Sequence, residues 1–157
     1  MENEKKFLSF YLGAKDKAVI ALQNIIEVFQ VSFGEICSVP QMPNCVLGIY
    51  NWCGEMLWLV DLEEMLGYSP QFQAANPPVK IMTIVLHTEG KHLGILVRHL
   101  MDIESLDSKQ MKFQDSQFFL PEVSPFLEGY FINAMEEIII SLDATAIIQS
   151  PLWEIHS

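Results

Sequence analysis

Cys37, Cys45 and Cys53, the histidines His87, His92 and His99, and the carboxylates Asp61, Glu63 and Glu64 are the side chains with which this 157-residue chain could do chemistry. The cysteines are evenly spaced, whereas a tetrahedral zinc site built from short loops needs close pairs of the Cys-x-x-Cys kind. No such pair occurs. Cys53 could serve as a nucleophile with a histidine as its base, but nothing in the sequence fixes a base or an oxyanion hole beside it, and a turn residue is the simpler reading. His87 and His92 flank a hairpin turn and can face each other, which suits a surface pair as well as a ligand pair. Asp61 stands before a short apolar run and is expected to cap a helical turn there. Glu64 then completes an arrangement like a capping box, and Glu63 lies on the solvated side. A phosphate-cradling Gly-rich loop, a Gly-x-Ser-x-Gly elbow and a His-Glu-x-x-His helix are all absent from the sequence. No catalytic residue, metal or cofactor is therefore expected.

The elements that must position these residues are mostly short strands. Gly48 to Trp52 and Glu55 to Asp61 are apolar runs either side of Cys53-Gly54, where glycine can take the positive φ that a two-residue hairpin loop requires. The second run is apolar on both faces, so both should be covered. A helical turn over 62–66 follows and stops at Gly67. Upstream, 7–12 and 18–22 form a hairpin candidate, followed by a strand at 25–31; 33–39 crosses to the proline pair. Residues 68–78, with three prolines, read as an exposed connection separating two halves. Beyond it, 81–86 and 93–97 pair across a turn at 88–91, and 101–106 continues that sheet. A polar loop at 107–125 carries Phe113, Phe118 and Phe119. The last hairpin joins 127–133 to 137–142, and Asp143 caps a short helix over 144–149. About nine strands without helical crossovers argue an all-β barrel or sandwich, in one domain over 1–157. No strong internal repeat is visible.

Composition bounds the role. Half of the residues are hydrophobic and 18% are charged, which suits one domain with a real core and leaves apolar side chains over for partners. A net charge of −11 with nine Lys and Arg disfavours nucleic acid and anionic lipid. The charged amino terminus does not read as a signal peptide, and no run approaches the roughly 20 apolar residues needed to cross a bilayer. A cytoplasmic protein with reduced cysteines and no membrane insertion is expected.

Val39-Pro40, Pro43, Gly48-Ile49-Tyr50-Asn51-Trp52-Cys53-Gly54 and Val60-Asp61-Leu62 together resemble the signature of CheW-like domains. The likeness extends to Phe7–Leu12, Ile25-Ile26-Glu27-Val28, Leu93–Val97, Ile103–Leu106 and Leu127-Glu128-Gly129-Tyr130, so it spans about residues 7 to 149. It implies two packed SH3-like five-stranded β-barrels around a shared core, with short helical turns near 62–66 and 144–149. It also implies a non-catalytic adaptor linking the helical hairpin of a methyl-accepting chemoreceptor to the regulatory domain of a CheA-type histidine kinase. The setting would be chemotaxis, phototaxis or pilus-driven motility. The partner-binding positions carried over are Ile25, Glu27, Gly48, Asn51, Gly54 and Val97, with Arg98 beside them. Ile25 and Val97 could equally be core, and the two glycines could serve the backbone alone. Two departures stand out. The family's usual Arg is replaced by Cys53, leaving Glu27 to face water or a partner's cation, and Arg98-His99 reverses a charge after the later strand. The alternatives are a stand-alone interaction or oligomerisation module, with weak self-association, and a small enzyme using Cys53 or a metal.

Overall fold

Strand pairing in the computed structural model, which describes residues 4–13, 15–68, 79–113 and 121–150, sorts ten strands into two five-stranded curled sheets. The strands are β1 (Glu4–Leu12), β2 (Asp16–Ala21), β3 (Ile25–Ser32), β4 (Val46–Trp52), β5 (Glu55–Asp61), β6 (Lys80–Thr88), β7 (Lys91–Val97), β8 (Leu100–Asp107), β9 (Leu127–Ile132) and β10 (Ile138–Leu142). Two short helices, α1 (Leu62–Met65) and α2 (Ala144–Ile148), follow β5 and β10. The first sheet runs β8-β1-β2-β10-β9 and the second β3-β6-β7-β5-β4. The all-β, two-barrel expectation holds.

Three clusters of apolar side chains account for the stability. Phe7, Val19, Met111, Phe131 and Ile139 fill the first barrel, while Val31, Leu57, Leu59, Ile81, Val85 and Leu96 fill the second. A larger shared core lies between them, including Leu8, Phe10 and Ile20 from one sheet, Val60, Ile84 and Ile95 from the other, and Leu62, Leu66, Ile147 and Ile148 from the two helices. Central strands thus bury both faces, which is why their sequences run apolar without alternation. Each such side chain contributes about 1.5–3 kcal/mol on burial.

The two barrels are built alike. Each has a central hairpin, β1–β2 or β6–β7, whose second strand pairs in parallel with β10 or β5. Each is closed by the same device: an edge strand, β8 or β3, ends in a single 3-10 turn, and the next residues bridge to the opposite edge. Lys112 bridges Tyr130 on β9 in one barrel, and Cys37 bridges Ile49 on β4 in the other. The registers agree. Leu8 faces Ile103 as Ile84 faces Val28, and Leu142 faces Ile20 as Val60 faces Ile95. Asp61 and Asp143 accept hydrogen bonds from the first backbone N–H groups of α1 and α2. The chain therefore does repeat, 4–66 against 80–148, in topology rather than in recognisable sequence.

One expectation is corrected by this topology. The 101–106 strand does not continue the sheet of 81–97 but crosses to the first barrel and pairs with β1, because Arg98-His99 turns the chain away. The connection at 68–78, of which only Tyr68 is among the described residues, stands between the two halves of the chain, but the halves do not coincide with the barrels. Phe118 and Phe119 also lie outside the described residues. Each barrel instead takes a hairpin from one half of the chain and three strands from the other.

Candidate functional site

Curling of the second sheet brings its outer strands β3 and β4 together, and side chains hold the seam. Phe29 and Tyr50 lie with ring centroids 5.6 Å apart, and Trp52 Nε1 donates to Glu27 Oε1 at 2.9 Å. Glu27 is exposed to water, as expected, and also accepts this hydrogen bond from the neutral indole N–H. Asn51 accepts at Oδ1 from Gly54 N at 3.0 Å, locking a turn in which Cys53 (φ 51°) and Gly54 (φ 84°) both adopt positive φ. These residues form the end of the β4–β5 hairpin. Asn51 and Gly54 are exposed, and Ile25 is half-buried at the start of β3.

Gly48 and Val97 are placed otherwise. A Cβ on Gly48 would stand 2.2 Å from Cys37 O, so the residue is required by the bridge that closes the barrel. Val97 is 2% exposed within the shared core and offers no side chain to a partner. Arg98 Nη2 reaches Glu63 Oε1 at 3.2 Å while 40% of its side chain stays exposed. Glu63 is the largest correction. Instead of a solvated position it is 1% exposed, accepting also from Gly13 N at 2.8 Å, which ties α1 to the β1–β2 turn of the other barrel. Burial pushes its carboxyl above the usual carboxylate range, although the Gly13 hydrogen bond and the Arg98 guanidinium pull the other way. Next to it, the Tyr68 hydroxyl donates to Asp16 across the same junction, and burial followed by that hydrogen bond raises its pKa.

What sequence reasoning missed is the apolar surface flanking Glu27. Ile26 and Val28 are 45% and 37% exposed on the outside of β3, and the corresponding positions of β8, Met101 and Ile103, are 39% and 55% exposed. The signal was present: an unbroken Ile-Ile-Glu-Val run on a strand with a partner on one side only. Among the described residues no cluster of three or more His, Cys, Asp and Glu side chains gathers around the cysteines. Cys45 is buried, its thiol pushed up to about 11 by burial and the nearby Glu64 carboxylate, and Cys53 makes no side-chain hydrogen bond among the described residues. Among the described residues no helix is long and apolar enough to cross a membrane.

Comparison with known proteins places this geometry. A family model described as a CheW-like domain matches residues 6–152. A probable chemotaxis protein CheW from Rhizobium etli is 26% identical over 135 residues, covering 85% of this chain and 78% of the relative. A chemotaxis protein CheW from Rhizobium meliloti is 27% identical over 109 residues, covering 69% of this chain and 65% of that one. The crystal structure of the scaffolding protein TtCheW from Thermoanaerobacter tengcongensis superposes with a TM-score of 0.76 at 19% identity, over 97% of this chain and 94% of that chain.

Proposed function

The chain belongs to the CheW-like domain family, and from that premise we propose that it joins a chemoreceptor's cytoplasmic helical hairpin to the regulatory domain of a CheA-type histidine kinase. Its role is that of a chemotaxis adaptor: it binds, and leaves phosphoryl transfer to the kinase. The observation that carries the binding reading is the β3 edge, where Ile26 and Val28 stand exposed on either side of a Glu27 held in place by Trp52. Apolar side chains exposed on the outside of β3 support contact with another β-barrel through side-chain packing. Asn51 and Gly54, at the tip of the adjoining hairpin, belong to the same surface in this reading. Gly48 acts by letting the barrel close beneath it, and Val97 by filling the shared core.

Sedimentation velocity with the purified regulatory domain of the cognate kinase tests this. A complex at tens of micromolar or below is expected, weakened about tenfold or more by Ile26→Glu, because a charge buried in the interface is left unpaired. Failure to associate, with both partners folded, removes the kinase from the reading. Self-association of the chain alone under the same conditions would favour an oligomerisation module in its place.

A further inference from the structure

We propose that His87 and His92 form a binding site for a late first-row divalent cation, of the Zn²⁺ or Ni²⁺ kind, at one mouth of the second barrel. The two residues are directly opposite each other on β6 and β7, one pair in from the Glu89-Gly90 turn. Strand alternation fixes their side: Ile81 and Val85 on β6 and Leu96 on β7 point into the second barrel, so His87 and His92 continue that inward face to its rim. Their rings stand nearly parallel, 26° apart, with centroids separated by 6.1 Å. Trp52 closes the other side, its ring 5.4 Å from His92 and its N–H committed to Glu27.

Neither imidazole has a hydrogen-bond partner among the described residues, and His92 is exposed while His87 is half-buried, so the ring nitrogens are open to a ligand from solvent. Neutral imidazole is a ligand suited to zinc, nickel and copper. Stacked rings aim their in-plane lone pairs side by side, so chelation requires the exposed His92 ring, and with it His87, to rotate until a nitrogen of each meets one metal at about 2.0–2.1 Å. The surrounding field favours a cation: the chain carries −11, with Glu89 in the adjoining turn and Glu27 behind Trp52. No cluster of three or more His, Cys, Asp and Glu side chains suited to a metal exists among the described residues. The site therefore supplies two ligands, and water fills the remaining positions.

Trp52 provides the readout, since paramagnetic Ni²⁺ quenches an indole held this close. Titration of the intact chain with NiCl₂ is expected to give saturable quenching of tryptophan emission, with one Ni²⁺ per chain by equilibrium dialysis. His87→Gln and His92→Gln should each raise the midpoint about tenfold or more, which corresponds to about 1.4 kcal/mol, with the thermal midpoint unchanged. Trp52→Phe should remove most of the optical signal and leave the dialysis stoichiometry. Quenching that fails to saturate below about 1 mM, a midpoint unmoved in the exposed-site variant His92→Gln, or an equal shift in Cys53→Ala overturns the proposal.

Discussion

A carboxylate with 1% of its side chain exposed helps to hold the two barrels together. Glu63 sits on α1 of the second barrel, takes the Gly13 N–H from the first, and is faced by Arg98 at the point where the chain crosses between them. Removing the cation leaves a buried anion with one donor. Arg98→Ala is therefore expected to destabilise the fold by about 1–3 kcal/mol, less than a fully buried pair would lose, because Arg98 itself is 40% exposed. Chemical denaturation of the two proteins checks it. The pH dependence follows from the same residue. Burial raises the Glu63 pKa, so the folded protein holds this proton more tightly than the unfolded chain does. Its contribution must then grow more favourable as the pH falls from neutral through the raised pKa, and become less favourable again as the pH rises. Glu104 opposes this: burial alone would raise its pKa, yet the hydrogen bonds from Lys17 and Ser9 bring it below the usual value. Its contribution is thus lost as the pH falls through that lower pKa. Thermal unfolding of the wild type and Glu63→Gln across that range separates the two, the variant lacking the acid-side gain.

Each barrel is closed at the level of its elements by a strand, a 3-10 turn and a single bridge, and a glycine makes room for that bridge. A Cβ at Gly129 would stand 2.7 Å from Lys112 O, as one at Gly48 would stand 2.2 Å from Cys37 O. The neighbour in both cases is backbone and cannot swing aside. Gly48→Ala should therefore lower stability by about 1–3 kcal/mol. Gly54→Ala, with open space around it, should lose about 1 kcal/mol for its positive φ alone. Denaturation midpoints rank them. Elements were the most legible scale in the sequence. The Cys53-Gly54 turn, the Asp61 and Asp143 caps and the hairpins at 81–97 and 127–142 are all set by local preferences that need no distant contact. The site was legible only in part. Glu27 and Asn51 could be singled out as candidates from the sequence, but the Trp52 bond to Glu27 and the inward turn of Glu63 depend on strands brought together by closure, and local sequence carries no trace of that.

The whole molecule is two copies of one topological unit that exchange their hairpins, which no local pattern announces because the copies have diverged in sequence. β1 and β2 come from the first half of the chain, yet they pair with β8 and β10 of the second; β6 and β7 make the reverse exchange with β3 and β5. Neither half can complete a barrel, because each would present a hairpin lacking flanking strands and a three-strand set lacking its centre. The shared core is equally divided, drawing Leu8 and Phe10 with Leu62 and Leu66 from one half and Ile84 and Ile95 with Ile147 and Ile148 from the other. Hydrophobic burial of this kind is proportional to area and indifferent to chain continuity, so the covalent link through 68–78 contributes mainly by raising the effective concentration of one half beside the other. A chain cut between Gln71 and Phe72 is thus expected to recover its fold when both fragments are co-expressed. Size-exclusion chromatography should find a 1:1 complex at the size of the intact protein, and each fragment alone should remain unfolded or aggregate. A fragment that folds alone into a stable monomer would mean that the barrels do not depend on the exchange.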